Sequence, residues 1–248
     1  MKKILVIGAG RSSSSLIRYL TQLLESNNWH LRIADRDLDL AKEKINGAAN
    51  AEAISFNALK REERIHHLEW ADIVVSMLPA AFHLDIAKDC VLLKKNLITP
   101  SYITPEMKAL DKECKANGVF ILNELGLDPG IDHMSAMKII DGIKAKGGEI
   151  ERFESFTGGL IAPQSDTNPW NYKFTWNPRN VVLAGQGSAA TFLQNGKYKF
   201  VPYNKLFSRT KEIEIDSYGF FEGYANRDSL SYIEVYGLTG IPTIYRGT

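Results

Sequence analysis

The sequence has only two cysteines, almost no net charge and no long apolar run, and each scarcity excludes a class of protein. Cys90 and Cys114 lack Cys-x-x-Cys spacing, so we expect no metal site and no disulfide framework, and a reducing cytoplasm is the favoured location. A formal net charge of +1 over 248 residues argues against a nucleic-acid partner. The first apolar run, Ile4–Ile7, is too short for a signal peptide or a membrane span.

That short aliphatic run breaks into Gly-x-Gly and then into a helical pattern, which is typical of a dinucleotide-binding loop. Gly8 permits a tight turn, and Gly10 lets the backbone approach a pyrophosphate at the N-terminus of the next helix. Ser13 stands where a third glycine is usual, and it is small enough for close packing. We therefore predict that Gly8, Gly10, Arg11, Ser12 and Ser13 hold a dinucleotide. A plain strand–helix joint is the alternative.

In the first half of the chain, apolar strands alternate with amphipathic helices, which predicts an α/β fold with a doubly wound parallel sheet of the Rossmann type. Thr104 and Pro105 have the residue types of a helix N-cap and first helical position. The predicted strands are Ile4–Ile7, Leu31–Ala34, Ala53–Phe56, Ile73–Leu78, Asn96–Thr99 and Val119–Asn123, and the predicted helices are Ser14–Glu25, Leu38–Lys44, Phe82–Leu93 and Pro105–Asn117.

The pattern changes after Asn123, where Leu127–Gly130 is a turn signal. We place a dinucleotide-binding domain at 1–127 and a mixed α+β domain at 128–248. The final strand-like segment, Thr243–Arg246, would leave a sheet incomplete, so we expect a fragment of a longer protein. After a helix at Asp132–Ala145, the predicted strands are Glu151–Thr157, Val181–Leu183, Lys199–Pro202, Glu212–Asp216 and Ile233–Tyr236.

Two strand ends carry residues suited to a nicotinamide dinucleotide. Asp35 ends the second strand, where a carboxylate suits ribose hydroxyls and repels a 2′-phosphate. Arg36 follows directly and could stack on adenine or pair with that phosphate, so NAD is favoured over NADP without excluding it. Ser76, Leu78 and Pro79 end a later strand and would face the cofactor crevice. A solvated turn and a plain strand end are the alternatives for these two segments.

Six motifs distributed along the whole chain have a more specific pattern. They are Thr99–Ile103, Asn123–His133, Gly158–Leu160, Asn168–Trp176, Asn226–Ser229 and Arg246–Thr248. Together they resemble the saccharopine dehydrogenase family, in its glutamate-forming (saccharopine reductase) branch. Asn123–His133 is the most specific of the six. Family members are much longer and continue past a motif like Arg246–Thr248.

The resemblance implies oxidation of the secondary amine of saccharopine with NAD(P), giving glutamate and 2-aminoadipate 6-semialdehyde in lysine metabolism, or the reverse reaction. It also implies that the second domain covers the cofactor, binds the amino-acid substrate and forms a homodimer. Two alternatives stay open. One is a related amine dehydrogenase, of the lysine 6-dehydrogenase or carboxynorspermidine type. The other is a module that binds NAD(H) without chemistry.

The resemblance also assigns site residues. Ser101, Arg227 and Thr248 match positions that hold substrate carboxylates, and Asp128 matches a position that contacts both substrate and nicotinamide. Trp176 matches a residue near the nicotinamide. From residue type alone, Asp128 could instead cap the following helix, Arg227 could be a surface residue, and Trp176 could be a buried aromatic.

Oxidation of an amine needs acid–base groups with a pKa near the working pH. Lys173 and Asp128 are the candidates, with His133 behind them. Lys173 would qualify if it were buried beside Arg227, since burial and a neighbouring cation both lower the pKa of a lysine. For His133, a structural place in the first turn of its helix is the favoured interpretation.

Overall fold

The computed structural model describes residues 1–175, 178–184 and 189–248. The chain divides into two compact units, Met1–Ile131 and Asp132–Thr248. We refer to them as the first and the second unit and describe each by itself.

The first unit contains a six-stranded parallel sheet in the order β3-β2-β1-β4-β5-β6, which confirms the predicted Rossmann arrangement. The chain adds its first three strands in one direction from β1 and the next three in the other direction, starting with β4. Ligands bind at such a switch point, beyond the carboxyl ends of the strands. The strands are β1 (Lys2–Ile7), β2 (Trp29–Asp35), β3 (Ala51–Ser55), β4 (Ile73–Ser76), β5 (Asn96–Ile98) and β6 (Ile121–Leu122).

Two helices of the first unit begin at a residue whose side chain caps them, Asp37 and Thr104. Thr104 Oγ1 accepts a hydrogen bond from Met107 N at 3.2 Å, with Pro105 in the first helical position, as the sequence predicts. The predicted helix 105–117 is divided in two at Leu110. The helices are α1 (Ser14–Asn27), α2 (Leu38–Ile45), α3 (Arg61–Trp70), α4 (His83–Leu92), α5 (Pro105–Ala109) and α6 (Asp111–Asn117).

Both faces of this sheet are covered, which accounts for its near-continuous apolar strands. In β1, Leu5 and Ile7 pack into the cluster that includes Ile86 of α4. Ile4 and Val6 point the other way, into the cluster that includes Ile17 of α1. Successive side chains of a strand point to opposite faces of the sheet, so each strand packs against helices on both sides. Only the strand ends stay open to a ligand.

The second unit is built around a mixed four-stranded sheet in the order β7-β12-β8-β9 and a separate β10-β11 ribbon. The last strand is central, parallel to β7 and antiparallel to β8. Ala136 and Ile140 of the long helix pack against Ile244 of that strand. The elements are α7 (Ile131–Lys144), β7 (Arg152–Phe156), α8 (Pro178–Ala184), β8 (Ala190–Gln194), β9 (Lys197–Val201), α9 (Tyr203–Leu206), β10 (Lys211–Ile215), β11 (Gly219–Gly223), α10 (Tyr232–Val235) and β12 (Thr243–Gly247).

Two strand predictions in the second unit are wrong, because Val181–Leu183 lies in α8 and Ile233–Tyr236 overlaps α10. Short apolar runs do not distinguish a strand from a helix by periodicity, and Pro178 starts the first of these helices. At the end of α10, Gly237 has a φ of 59° and Leu238 N donates to Ile233 O, a helix C-terminal motif. Within the described ranges, none of these helices has both the length and the apolar character to cross a membrane.

Candidate functional site

The loops that follow the parallel strands of the first unit meet at one edge of its sheet. They carry most of the residues predicted for the cofactor, and two of those predicted for the substrate. Because all six strands run the same way, residues far apart in sequence come to the same edge. The predicted residues on these loops are Gly8, Gly10, Arg11, Ser12, Ser13, Asp35, Arg36, Ser76, Leu78, Pro79, Ser101 and Asp128.

The glycine loop has the geometry of a phosphate cradle. Gly8 has a φ of 106°, and a Cβ there would lie 3.1 Å from the backbone of Met77, so no other residue fits without strain. Gly10 is exposed, and a Cβ there would project into open space. Ser13 is buried and its hydroxyl donates to Gly10 O at 2.8 Å. The missing third glycine is thus replaced by a small side chain that closes the turn, and the space beside Gly10 is open.

The Asp35 carboxylate is hydrogen-bonded to the backbone of the loops around it. Its Oδ2 accepts Ala9 N at 2.6 Å, and its Oδ1 accepts Asp37 N at 2.9 Å. Both carboxylate oxygens therefore hold backbone amides, one of them in the glycine loop. Arg36 beside it is exposed, on a shallow depression of about 560 Å³ lined by residues 35–39. Three carboxylates, Asp35, Asp37 and Asp39, line the same depression, and Arg36 is its one cation.

A buried histidine, which the sequence analysis missed, connects two of the predicted residues. His83 Nδ1 lies 2.9 Å from Ser76 Oγ, and its Nε2 lies 2.9 Å from Ser101 Oγ. Only 2 % of His83 is exposed, and burial lowers its pKa to about 4. The one available signal was a histidine within an otherwise apolar helix face, seven residues after the end of β4. We refer to Ser76, His83 and Ser101 as the serine–histidine relay.

Asp128 lies on the next loop and is held in place by side chains and backbone. Its Oδ1 accepts the hydroxyl of Tyr102 at 2.5 Å, so Ser101 and Asp128 belong to adjoining loops. The Asp128 loop closes on itself through Gly126 N and Pro129 O at 2.9 Å. Gly130 has a φ of 151°, and a Cβ there would lie 2.0 Å from Gly126 O, so this turn requires glycine.

In the second unit, Arg227 and Thr248 lie on two paired segments, an irregular one and the last strand, which run antiparallel. Tyr224 and Thr248 exchange backbone hydrogen bonds at 2.8 and 2.9 Å, and Asn226 N donates to Arg246 O at 2.8 Å. Arg227 is exposed next to Asn226, and Thr248 is partly buried. Two residues predicted for substrate carboxylates therefore lie within one short stretch of paired backbone.

The start of α7 is tied to that same strand by a buried ion pair. Arg246 Nη2 donates to Asp132 Oδ2 at 2.8 Å, and both side chains are more than nine-tenths buried. The Arg246 guanidinium lies 4.0 Å from the ring centroid of Tyr232. His133 Nδ1 is 2.6 Å from the Tyr236 hydroxyl. His133 thus lies in the first turn of its helix, within a packed aromatic group.

Lys173 is exposed, and its Nζ donates to Ser165 O at 2.6 Å, so the burial on which its acid–base role depended is not present. Trp176 lies outside the described residues.

Cys90 and Cys114 are buried thiols, and burial raises the pKa of Cys90 to about 12. Within the ranges that are described, no three His, Cys, Asp or Glu side chains cluster as a metal site would require.

Comparison with known proteins accounts for both units. Residues 4–122 match the family model described as the saccharopine dehydrogenase NADP binding domain, and residues 126–248 match the saccharopine dehydrogenase C-terminal domain. The crystal structure of apo saccharopine dehydrogenase (L-Glu forming) from Saccharomyces cerevisiae is similar with a TM-score of 0.90 and 33% identity. The match covers 100% of this chain and 55% of that chain.

Curated relatives include saccharopine dehydrogenase (NADP(+), L-glutamate-forming) from Pyricularia oryzae, at 37% identity over 100% of this chain and 54% of the relative. Mitochondrial alpha-aminoadipic semialdehyde synthase from Bos taurus is 38% identical over 100% of this chain and 26% of the relative. The chain thus spans about half the length of the fungal relatives.

The predicted preference for NAD is not supported. The matching domain model and the fungal relatives are named for NADP. The fold and the two domain matches agree with one another. This chain belongs to the saccharopine dehydrogenase family.

Proposed function

We propose that the protein oxidises the secondary amine of saccharopine with NADP to give glutamate and 2-aminoadipate 6-semialdehyde, or catalyses the reverse condensation. The observation that carries this is the meeting of Ser101 and Asp128 on adjoining loops, at the same sheet edge as the glycine loop. One residue suits a substrate carboxylate and the other an amine, next to the place where a dinucleotide fits.

When bound, NADP would supply the acceptor for a hydride from the carbon that becomes the aldehyde. The amine must be neutral for this step, and Asp128 takes up its proton, with Tyr102 holding the carboxylate in place. The secondary amine becomes an iminium, water adds to its carbon, and the C–N bond breaks to release glutamate. Saccharopine, NADP and water are consumed, and glutamate, the semialdehyde, NADPH and one proton are formed.

The three carboxylates of saccharopine need hydrogen-bond donors. We assign Ser101 in the first unit to one carboxylate, and Arg227 and Thr248 in the second unit to the others. A charge-assisted hydrogen bond from an arginine is about twice as strong as a neutral one, so Arg227 is expected to contribute most to substrate affinity.

We assign the cofactor domain to 1–127 and the substrate domain to 128–248. Lys173, Trp176 and His133 are residues still to be tested.

We propose NADP rather than NAD because the matching domain model and the fungal relatives are named for NADP. Arg36 lies exposed at the depression of residues 35–39 and is its one cation, beside Asp35, Asp37 and Asp39. An arginine there pairs with a 2′-phosphate, which NAD lacks. The full-length Arg36→Gln variant should lose about tenfold in kcat/KM for NADP and little for NAD. Arg18→Gln, an exposed arginine on α1, is the control. Equal loss with both cofactors would contradict this role.

The activity is tested by following nicotinamide absorbance with saccharopine, lysine and carboxynorspermidine as separate substrates of the full-length protein. We expect turnover of saccharopine, and Asp128→Asn should reduce kcat about 100-fold or more. Asp111→Asn, an exposed carboxylate on α6, should not. Turnover of lysine or carboxynorspermidine alone would identify a related amine dehydrogenase. Cofactor binding without turnover of any of the three would identify a non-catalytic module.

A homodimer is also part of the proposal. Large aromatic side chains on β9, α9 and β11 and the adjoining turns are 60–65 % exposed: Tyr198, Phe200, Phe207, Tyr218 and Phe220. Such a cluster on the second unit suits a second copy of the chain. Light scattering after size-exclusion chromatography measures the oligomeric state, and a monomer at micromolar concentration would contradict the proposed homodimer.

A cytoplasmic location stays a prediction to be tested by fractionation, since mammalian relatives are named mitochondrial.

A further inference from the structure

The serine–histidine relay lies inside the first unit, and two of its three members have no contact with solvent. Ser76 at the end of β4 is 0 % exposed, and His83 at the start of α4 is 2 % exposed. Ser101, in the loop after β5, is partly buried. The relay thus runs from the interior of the domain to the sheet edge where the substrate is proposed to bind.

His83 is neutral at working pH, because burial holds its pKa near 4. A neutral imidazole has one N–H donor and one nitrogen acceptor, so the relay can be ordered in only two ways. Either Ser76 donates to Nδ1 and Nε2–H donates to Ser101, or Ser101 donates to Nε2 and Nδ1–H donates to Ser76.

The buried end of the relay selects between these two orders. Ser76 Oγ pairs with His83 Nδ1, its one side-chain partner among the described residues. If Nδ1 carried the proton, the Ser76 hydroxyl hydrogen would be buried without an acceptor, which is costly. If Nδ1 accepts from Ser76, Nε2–H donates to Ser101 Oγ at 2.9 Å. The Ser101 hydrogen is then left to point away from His83.

We propose that Ser76 and His83 are positioning residues that fix Ser101 as a hydrogen-bond donor toward a carboxylate of the substrate. A serine hydroxyl on a loop rotates freely and can act as donor or acceptor. In this protein, His83 Nε2–H occupies one lone pair of the Ser101 oxygen, so the Ser101 hydrogen faces the ligand. A carboxylate is acceptor-only and can take that hydrogen, whereas an ammonium group, which only donates, could use only the second lone pair of Ser101.

This inference rests on the proposed function for the identity of the carboxylate, but the proton order of the relay can be measured without turnover. ¹⁵N NMR of the full-length protein labelled at histidine reports which nitrogen of His83 carries hydrogen. We expect the Nε2–H tautomer near neutral pH, and the Nδ1–H tautomer would overturn the proposal. Ser76→Ala removes the hydroxyl that donates to Nδ1, so the ¹⁵N resonance of Nδ1 should move toward that of an acceptor nitrogen without a hydrogen bond.

Steady-state kinetics of the full-length protein test the consequence. His83→Leu and Ser101→Ala should each raise the KM for saccharopine about tenfold and change the KM for NADP less than about twofold. His83→Gln keeps an amide N–H near the Nε2 position and should restore most of the affinity. The double variant His83→Leu, Ser101→Ala should be no worse than Ser101→Ala alone, since both act through one hydroxyl.

The outcomes separate the two proposals. If His83→Leu folds with an unchanged KM for saccharopine while Ser101→Ala raises it, His83 has no positioning role and the inference is wrong. If the wild-type protein turns over no saccharopine, the proposed function fails, and the NMR measurement alone then decides the proton order. NADPH binding and thermal unfolding of each variant show that the fold is intact, and the tautomer measured by NMR decides the proposal if His83→Leu unfolds.

Discussion

The two units position their predicted site residues through different kinds of buried polar contact. In the first unit, the serine–histidine relay is uncharged, and its members lie 7 and 18 residues apart. In the second unit, the ion pair of Asp132 and Arg246 is charged, and its members lie 114 residues apart. The first contact follows from neighbouring strand ends, whereas the second joins the start of one helix to the last strand.

This difference has an energetic consequence. A neutral hydrogen bond contributes about 1 kcal/mol net, and its loss leaves at most a polar group to be desolvated. A buried charge that loses its partner costs far more, even though the intact pair adds little compared with apolar residues. We therefore expect the second unit to be the more sensitive to single substitutions, and the first unit to show milder, pH-dependent effects.

The largest effect should come from breaking the ion pair. Asp132→Asn leaves the Arg246 guanidinium buried without its carboxylate, and should lower the free energy of unfolding of the second unit by about 3–5 kcal/mol. The measurement is denaturant unfolding combined with hydrogen exchange of the amides in α7 and β12. Asp111→Asn removes one member of an exposed pair with Lys115, and should cost about 0.5 kcal/mol or less.

A double variant sharpens this comparison. Asp132→Leu together with Arg246→Met removes both charges and keeps apolar volume, and should recover much of the lost stability. If Asp132→Asn is as mild as Asp111→Asn, the second unit does not depend on the pair, and the proposed contrast with the first unit is wrong.

The next largest effect on stability should distinguish Gly130 from Gly142. Gly130→Ala places a Cβ 2.0 Å from Gly126 O at a φ of 151°, so the loop that holds Asp128 must deform, at a cost of about 2–4 kcal/mol. Gly142→Ala in α7 meets nothing within 4 Å and should be neutral or stabilise by up to about 1 kcal/mol. Thermal unfolding of both variants measures the difference. Equal effects would show that the Asp128 loop tolerates a side chain.

A smaller effect should appear as pH dependence in the first unit. The pKa of His83 falls from its ordinary 6.5 to about 4 on folding, so between these values the unfolded chain binds a proton that the folded chain does not. Stability is therefore full above pH 6.5 and is lost as the pH falls toward 4. Between pH 7 and 5 the loss should be about 2 kcal/mol. His83→Gln cannot titrate, so its stability should fall less over the same range in denaturant titrations.

The sequence predicts the first unit better than the second for a physical reason. Strands such as Ile4–Ile7 are buried on both faces and read as apolar runs, and the loop after each one reaches the same edge, so Gly8 and Ser76 could be assigned together from the strands. Ser101 was assigned through the family resemblance. His83 was missed because its importance comes from contacts across two loops, and the two backbone partners of Asp35 are likewise not visible in a linear pattern.

In the second unit, contacts between distant segments determine the structure. Val181–Leu183 and Ile233–Tyr236 have residues typical of strands, yet helices form there because Pro178 starts one and Gly237 ends the other. The pairing of Asn226 with Arg246, which places Arg227 and Thr248 on two paired segments, spans 20 residues of sequence. Local propensity carries no information about such pairings.

The smallest predicted effect concerns a contact that local sequence does determine. Thr104→Ala removes the hydroxyl that accepts Met107 N at the start of α5, and should lower the free energy of unfolding by about 1 kcal/mol. Thr104→Ser keeps the cap and should stay within about 0.5 kcal/mol of the wild type, as measured by denaturant unfolding. A loss from Thr104→Ala as large as that from Asp132→Asn would mean that short-range caps stabilise this protein as strongly as long-range charge pairs. The division between a locally specified first unit and a second unit held by distant contacts would then have to be abandoned.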